Sequence, residues 1–306
     1  MATLLELTSQ GDVGTMTDES KLKNVKLMNP QQLYELWERQ PWSAHAIDLE
    51  RDKEAWASTV TQEEKEQLAY NLSAFFIGEE RVATQFSGLV RSYDDVSEEA
   101  FLTTQQVDEV RHAQFFNRFY AEVLERDGTF EKRLDKARED VNEAFIQLFD
   151  VELVGAQERL LAHPRDVEAK IDFIVLYHLV IEGTLALTGQ HFMQDYLESQ
   201  GKLPGLLEGY QRISQDEHRH VAYGVWFLQQ RASDASHRRR IQQRLVELMP
   251  LATGVLVPPG VEDPYDYELL GYHSSETHEF AFKSLSRRLK VIGVPLGDAG
   301  EAEVAA

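Results

Sequence analysis

Apolar residues recur every three or four positions through long, nearly unbroken stretches of this chain, the spacing that lines one face of an α-helix. The pattern predicts helices over roughly Thr61 to Tyr93, Ser97 to Arg126, Phe130 to Ala162, Val167 to Ser199 and Leu206 to Ala232. Between them stand breakers: Asp127-Gly128, His163-Pro164, Gly201 to Pro204 and Pro258-Pro259-Gly260. Alternation of the strand kind is scarce. The expected fold is all-α, a four-helix bundle core with additional helices, built as one domain over 30–293 between flexible ends at 1–29 and 294–306.

One segment breaks the amphipathic rule. From Ile171 to Leu197 the sequence IDFIVLYHLVIEGTLALTGQHFMQDYL is apolar nearly all the way round, so this helix belongs at the centre of the domain. Glu182 stands in its middle, where an ionised carboxylate is costly unless a cation or hydrogen-bond donors meet it. On the first long helix the acid pair Glu79-Glu80 follows AFFIG, and at least one of the two should turn toward the same interior.

Two further helices carry the same short word. QQVDEVRHAQFF and ISQDEHRHVAYG each place a glutamate three residues before a histidine, Glu109 with His112 and Glu217 with His220. Three residues turn a helix by about 300°, so each pair shares one face and can reach one point. Either pair alone reads as a solvated helix face. In the order Glu79, Glu109-x-x-His112, Glu182, Glu217-x-x-His220 they become the ligand set of a dinuclear metal site inside a four-helix bundle. Two iron- or manganese-type cations need several carboxylates, some bridging, and one imidazole nitrogen each. Glu79, Glu109 and His112 are assigned to one metal, and Glu182, Glu217 and His220 to the other. Asp108 and Asp216, each preceding a ligand glutamate, are candidates to orient the histidine of the opposite helix through its other ring nitrogen, Asp216 the better of the two. His178, His191 and His218 fall off the ligand face and read as packing or surface residues.

Composition narrows the chemistry. With no cysteine among the 306 residues, disulfides, thiolate metal sites and cysteine nucleophiles are excluded. A formal net charge of -21 argues against nucleic acid and anionic membranes as partners. The basic run His237 to Arg240 is read as solvated surface. No secretory signal is recognised, and no apolar run approaches the ~20 residues that span a bilayer, so a cytoplasmic location is expected, without integral membrane association.

Over roughly Trp42 to Ala232 the chain resembles the ferritin-like superfamily, and within it the small subunit of class I ribonucleotide reductase. PWSAHAIDLERD, with Trp42 and Asp48, is similar to that subunit's W-x-x-x-x-[IV]-D segment, and the likeness implies an electron path through Trp42, Asp216 and His112. Two departures set it apart. Phe116 stands four residues after His112, where most such subunits carry the radical tyrosine, and the end VPLGDAGEAEVAA lacks the aromatic tail that docks the catalytic partner. A smaller class of these subunits uses a manganese-iron site with phenylalanine there, so a radical-generating reductase subunit without a tyrosyl radical is the alternative reading. Ferritin-type iron storage and acyl desaturation are more distant ones.

FIGEERV (Phe76 to Val82), YHLVIEGTLALTG (Tyr177 to Gly189) and DEHRHVAYG (Asp216 to Gly224) resemble most closely the ribonucleotide-reductase-small-subunit-like ligand-binding oxidases. That likeness implies an oxygen-activating Mn/Fe (or Fe/Fe) oxidase, a homodimer, with a long-chain fatty-acid-like ligand at the metals. It also implies an ether cross-link between Val82 and Tyr177. Val82 lies one turn after Glu79 and faces the metals, whereas Tyr177, five residues before Glu182, requires a π-bulge between the two to bring its ring in. Gln190-His191, where relatives carry aromatics, implies a ligand-pocket wall of different polarity, and with it a ligand other than the family's usual lipid.

Overall fold

The long apolar helix organises everything around it. In the computed structural model, which describes residues 25–294, this helix (α8) runs from Val167 to Gln200, and its most apolar window is 94 % buried. It is long and apolar enough to cross a membrane, contrary to the expectation that no such run exists. Burial on every side inside the domain accounts for that apolarity.

Before it come α1 (Pro30–Glu38), α2 (Glu50–Ser58), α3 (Gln62–Thr84), the short α4 (Ser87–Arg91), α5 (Val96–Glu122), α6 (Phe130–Ala137) and α7 (143–162). After it come α9 (Pro204–Arg231), α10 (Ala235–Val255), a hairpin of β1 (Glu268–Leu269) with β2 (Tyr272–His273), and α11 (Ser274–Ile292). Helices α3, α5, α8 and α9 form the core: α3 packs on α5, α5 on α9, and α9 on the middle of α8. Helices α10 and α11 close over that middle from outside, and α1 lies across α5 and α9.

Local chemistry sets the ends. Thr61 and Glu64 form a reciprocal capping box at the start of α3, and Asp95 accepts from the backbone N–H groups of Ser97 and Glu98 to start α5. Gly201, left-handed at φ 61°, stops α8, and Pro204 opens α9. Leu203 offers no cap; the buried Asp52 of α2 replaces it, accepting from the N–H groups of Gly205 and Leu206 at 2.8 Å each.

Two predicted helices are interrupted. The first stops at Thr84, and Phe86 plunges into the core before α4 begins. The third breaks into α6, a 3₁₀ turn at Arg138–Asp140, and α7, which carries a π-helical turn at Gln147–Glu152. The periodicity of apolar residues does not register such breaks, because it survives a change of one residue in phase.

The π distortion expected near Tyr177 is present, and it is longer than a single bulge, running from Val175 to Ala186. Widening the helix shifts its carbonyls from their usual partners, and side chains meet them. Thr184 donates to the Leu179 carbonyl at 2.7 Å and the buried Arg288 of α11 donates to that of Gly183 at 2.6 Å. Gly224 lets α9 approach this segment, since a Cβ there would sit 2.3 Å from that of His178. The expected loose ends lie outside the described residues, apart from 25–29 and 294.

Candidate metal centre

Each of the four core helices delivers its acidic residue to one buried spot. Glu79 comes from α3, Glu109 and His112 from α5, Glu182 from α8, and Glu217 and His220 from α9; all six are at most 5 % exposed. Of the acid pair on α3, only Glu79 points inward, while Glu80 is half-buried beside Arg81.

The donor atoms fall into two groups, each within 4.8 Å: Glu79, Glu109, His112 and Glu217, and Glu109, Glu182, Glu217 and His220. Glu109 and Glu217 belong to both groups. Inside the cluster, both Glu109 oxygens, one oxygen each of Glu182 and Glu217, and Nδ1 of His220 are buried without a hydrogen-bond partner. They approach closely nonetheless, Nδ1 of His220 lying 3.1 Å from Glu109 and 3.4 Å from Glu182. Atoms that converge without bonding one another surround a common centre, and an all-carboxylate and imidazole donor set suits iron and manganese.

The electrostatics make the same demand. Burial, reinforced by Glu217 and Glu109, pushes the Glu79 carboxyl up to about 8 despite His112 beside it. Glu182 is driven well above its ordinary range by burial and Glu217, and Glu217 is raised by burial and Glu109. Burial disfavours a charge on either imidazole, but Glu79 and Asp216 around His112, and Glu109 and Asp108 around His220, outweigh it and hold both well above the usual range. Without cations, protons must offset the four carboxylates.

Outside the cluster each histidine is held by the aspartate of the opposite helix. Nε2 of His112 lies 3.1 Å from Asp216, and Nε2 of His220 lies 3.3 Å from Asp108. Both rings therefore turn Nδ1 inward. Trp42 donates its indole N–H to Asp216 at 2.7 Å and stacks on His112 with 6.1 Å between centroids. Asp48, by contrast, accepts from Glu50 N–H on the surface, away from the cluster.

The shell has further members, of which Trp37 lies outside the repeated motif while Arg111 and Arg219 are its arginines. Trp37 donates to Asp108 at 2.9 Å, Arg111 donates to Asp108 at 2.8 Å, and Arg219 bonds both aspartates. Gln105 donates to Glu182 at 3.0 Å and lies 3.2 Å from Nε2 of His178. His178 is thus a packing residue, kept neutral by burial, that braces a ligand through Gln105. Its signal was legible: Gln105 precedes Glu109 by one turn on the same face.

Opposite this polar shell lies an apolar cavity of about 950 Å³, its open mouth included. Glu79, Glu182 and Glu217 line its inner end, Val82 and Ile181 stand next to them, and Leu269 of the hairpin is among its remaining lining residues. Gln190 and His191 do not line it: Gln190 is buried and accepts from Ser214 at 2.7 Å, and His191 stacks on Phe280 at 4.3 Å. From this stretch of α8 it is Gly189 and Phe192 that line the cavity instead. Tyr177 is fully buried, packed on Phe86, Phe173 and His178. Burial raises its phenol well above the ordinary range, and the nearby Glu109, Glu182 and Glu217 add to it. Phe116 sits among Phe75, Phe115 and Tyr210.

With this geometry in place, comparison with known proteins is decisive. The family model for the ribonucleotide reductase small chain matches residues 20–289. The chain belongs to that family. Among solved structures it is similar to R2-like ligand-binding oxidases. A valine-to-alanine variant with anaerobically reconstituted Mn/Fe cofactor is 26 % identical, with a TM-score of 0.76 over 87 % of this chain and 94 % of its own. The corresponding valine-to-leucine variant is 25 % identical with a TM-score of 0.75 over the same shares. A glycine-to-leucine variant with aerobically reconstituted Fe/Fe cofactor is 25 % identical, with a TM-score of 0.75 over 86 % of this chain and 93 % of its own. The fold of this small-chain homologue is ferritin-like.

Proposed function

We propose that this small-chain homologue is an oxygen-activating oxidase with a dinuclear Mn/Fe or Fe/Fe centre, acting on or around a long-chain, fatty-acid-like ligand. The observation that carries the reading is the apolar cavity that runs to Glu79, Glu182 and Glu217. A subunit that only stores an oxidising equivalent for a partner has no use for an apolar hollow that reaches its metal ligands. Glu79, Glu109, His112 and Glu217 would hold one ion, and Glu109, Glu182, Glu217 and His220 the other, since their donor atoms converge in these two groups. When bound, the metals supply the redox chemistry with oxygen.

The residues of the chain do the rest. Asp216 and Asp108 fix both imidazoles with Nδ1 inward, and Arg219 ties the two aspartates together. The apolar wall keeps water off and leaves one polar end, so a fatty-acid-like ligand enters head first. Trp42, through Asp216 and His112, conducts electrons inward.

Val82 lines the cavity beside Glu79, and Tyr177 presents its phenol to the neighbourhood of Glu109, where an ether bond between them forms. That bond removes one hydrogen from each residue and two electrons in all, with molecular oxygen as acceptor. The relatives probed at a glycine and a valine four residues apart share the spacing of Gly78 and Val82. The alternative, a Mn/Fe reductase subunit without a tyrosyl radical, draws on the family match and on Phe116.

The test is mass spectrometry of protein expressed with iron and manganese. The oxidase reading expects a co-purified long-chain acid and a tryptic peptide pair joined through Val82 and Tyr177, absent in Tyr177→Phe and in metal-free protein. A fully metallated, oxygen-exposed protein with neither would favour the reductase-subunit alternative.

A further inference from the structure

The shell around the two histidines is doubled. On one side Trp42 bonds Asp216 and Asp216 bonds His112; on the other Trp37 bonds Asp108 at 2.9 Å and Asp108 bonds His220 at 3.3 Å. Each aspartate is buried, each indole is half-buried at the end of its chain, and Arg219 lies between the two aspartates. Beyond Trp37 the relay continues outward, with the ring of Tyr34 stacked on it at 6.2 Å.

Trp37 is not needed to hold Asp108. The guanidinium of Arg111 at 2.8 Å and that of Arg219 at 3.1 Å already anchor this carboxylate, and charged donors outweigh a neutral indole. What the indole adds is an easily oxidised ring joined by two hydrogen bonds to a ligand of the second metal position.

We propose that Trp37, Asp108 and His220 form a second electron conduit into the centre, parallel to Trp42, Asp216 and His112, with Tyr34 as its outer ring. The conduit rests on the dinuclear reading of the site. An external one-electron reductant docked against α1 supplies the electron. Trp37 gives one electron inward, is transiently oxidised while its N–H stays bonded to Asp108, and is restored by that reductant, so one electron enters and no bond is broken.

Reduced methyl viologen, a one-electron donor, tests this on the full-length, oxygen-treated metalloprotein by the rate at which the metal-centred absorbance is lost. Wild-type metal content is measured first, and a value under about one ion per chain sinks the dinuclear reading itself, separately from the conduit. With the metals in place, Trp37→Phe and Trp42→Phe should each slow reduction by about twofold and the double variant by roughly tenfold or more. A Trp42→Phe rate equal to that of the double variant overturns the proposal. If Trp37→Phe lowers metal content, the wild-type protein still decides the matter. Under repeated oxygen exposure without reductant, peptide mapping should show oxygen added at Trp37 or Tyr34 only when metals are present, and its appearance at Trp42 alone overturns the proposal.

Discussion

The two walls of the metal cluster are built on opposite principles. On the α1 side the groups are polar and charged: Asp108 and Asp216 hold the two histidines, Arg111 and Arg219 anchor the aspartates, and the indole N–H groups of Trp37 and Trp42 end on them. On the α7 and hairpin side Glu79, Glu182 and Glu217 face a largely apolar hollow in which Phe145 and Phe149 stack at 4.2 Å. The contrast separates two tasks. Rigid positioning of ligands needs dense hydrogen bonding, whereas a ligand pocket needs apolar surface and free volume.

The comparison is most sharply broken where the walls meet. Glu109 lies in both donor groups, so Glu109→Ala should reduce bound metal from two ions to fewer than about one per chain and erase the oxygen-dependent absorbance change. Metal analysis after reconstitution checks it. On the polar wall, Asp216→Asn should weaken metal binding by roughly 10–100-fold while leaving the fold intact, because it frees the His112 ring without touching the cluster. Competition with a chelator reads that loss.

A pH titration of the metal-free chain probes the cost of assembling four acids. Glu79 has its carboxyl raised from 4.5 to about 8 in the folded state. The folded chain therefore keeps a proton that the unfolded chain gives up. Stability should fall as pH rises from about 4.5 through about 8, and the raised Glu182, Glu217, His112 and His220 act in the same direction. Metal-loaded protein should lack this slope, and thermal melts of both forms across that range decide the point. The smallest effect belongs to the apolar wall. Ala186→Phe places a ring in the cavity, and it should cut the co-purified acid several-fold while metal content stays near wild type, as lipid extraction and metal analysis together would show.

Much of this was legible from the chain. Helical periodicity, the uniformly apolar stretch around Glu182 and two copies of D-E-x-R-H identify four core helices and six converging donors, because those features depend on spacing along one helix face at a time. The opposed pairing of Asp108 with His220 and Asp216 with His112 was also within reach, since each aspartate precedes a ligand on the facing helix. Residues that act across elements were not. Trp37 joins the shell only once α1 lies across α5 and α9, and nothing in the local pattern around it marks it out; Arg219 reaches Asp108 only because α9 packs on α5. Gln190 looked like a pocket residue, yet it is buried against α9, accepting from Ser214, and does not line the cavity. Sequence fixes what a helix can present at a given phase; where that phase is shifted by a π segment, and which surfaces then meet, is settled by packing between elements far apart in the chain.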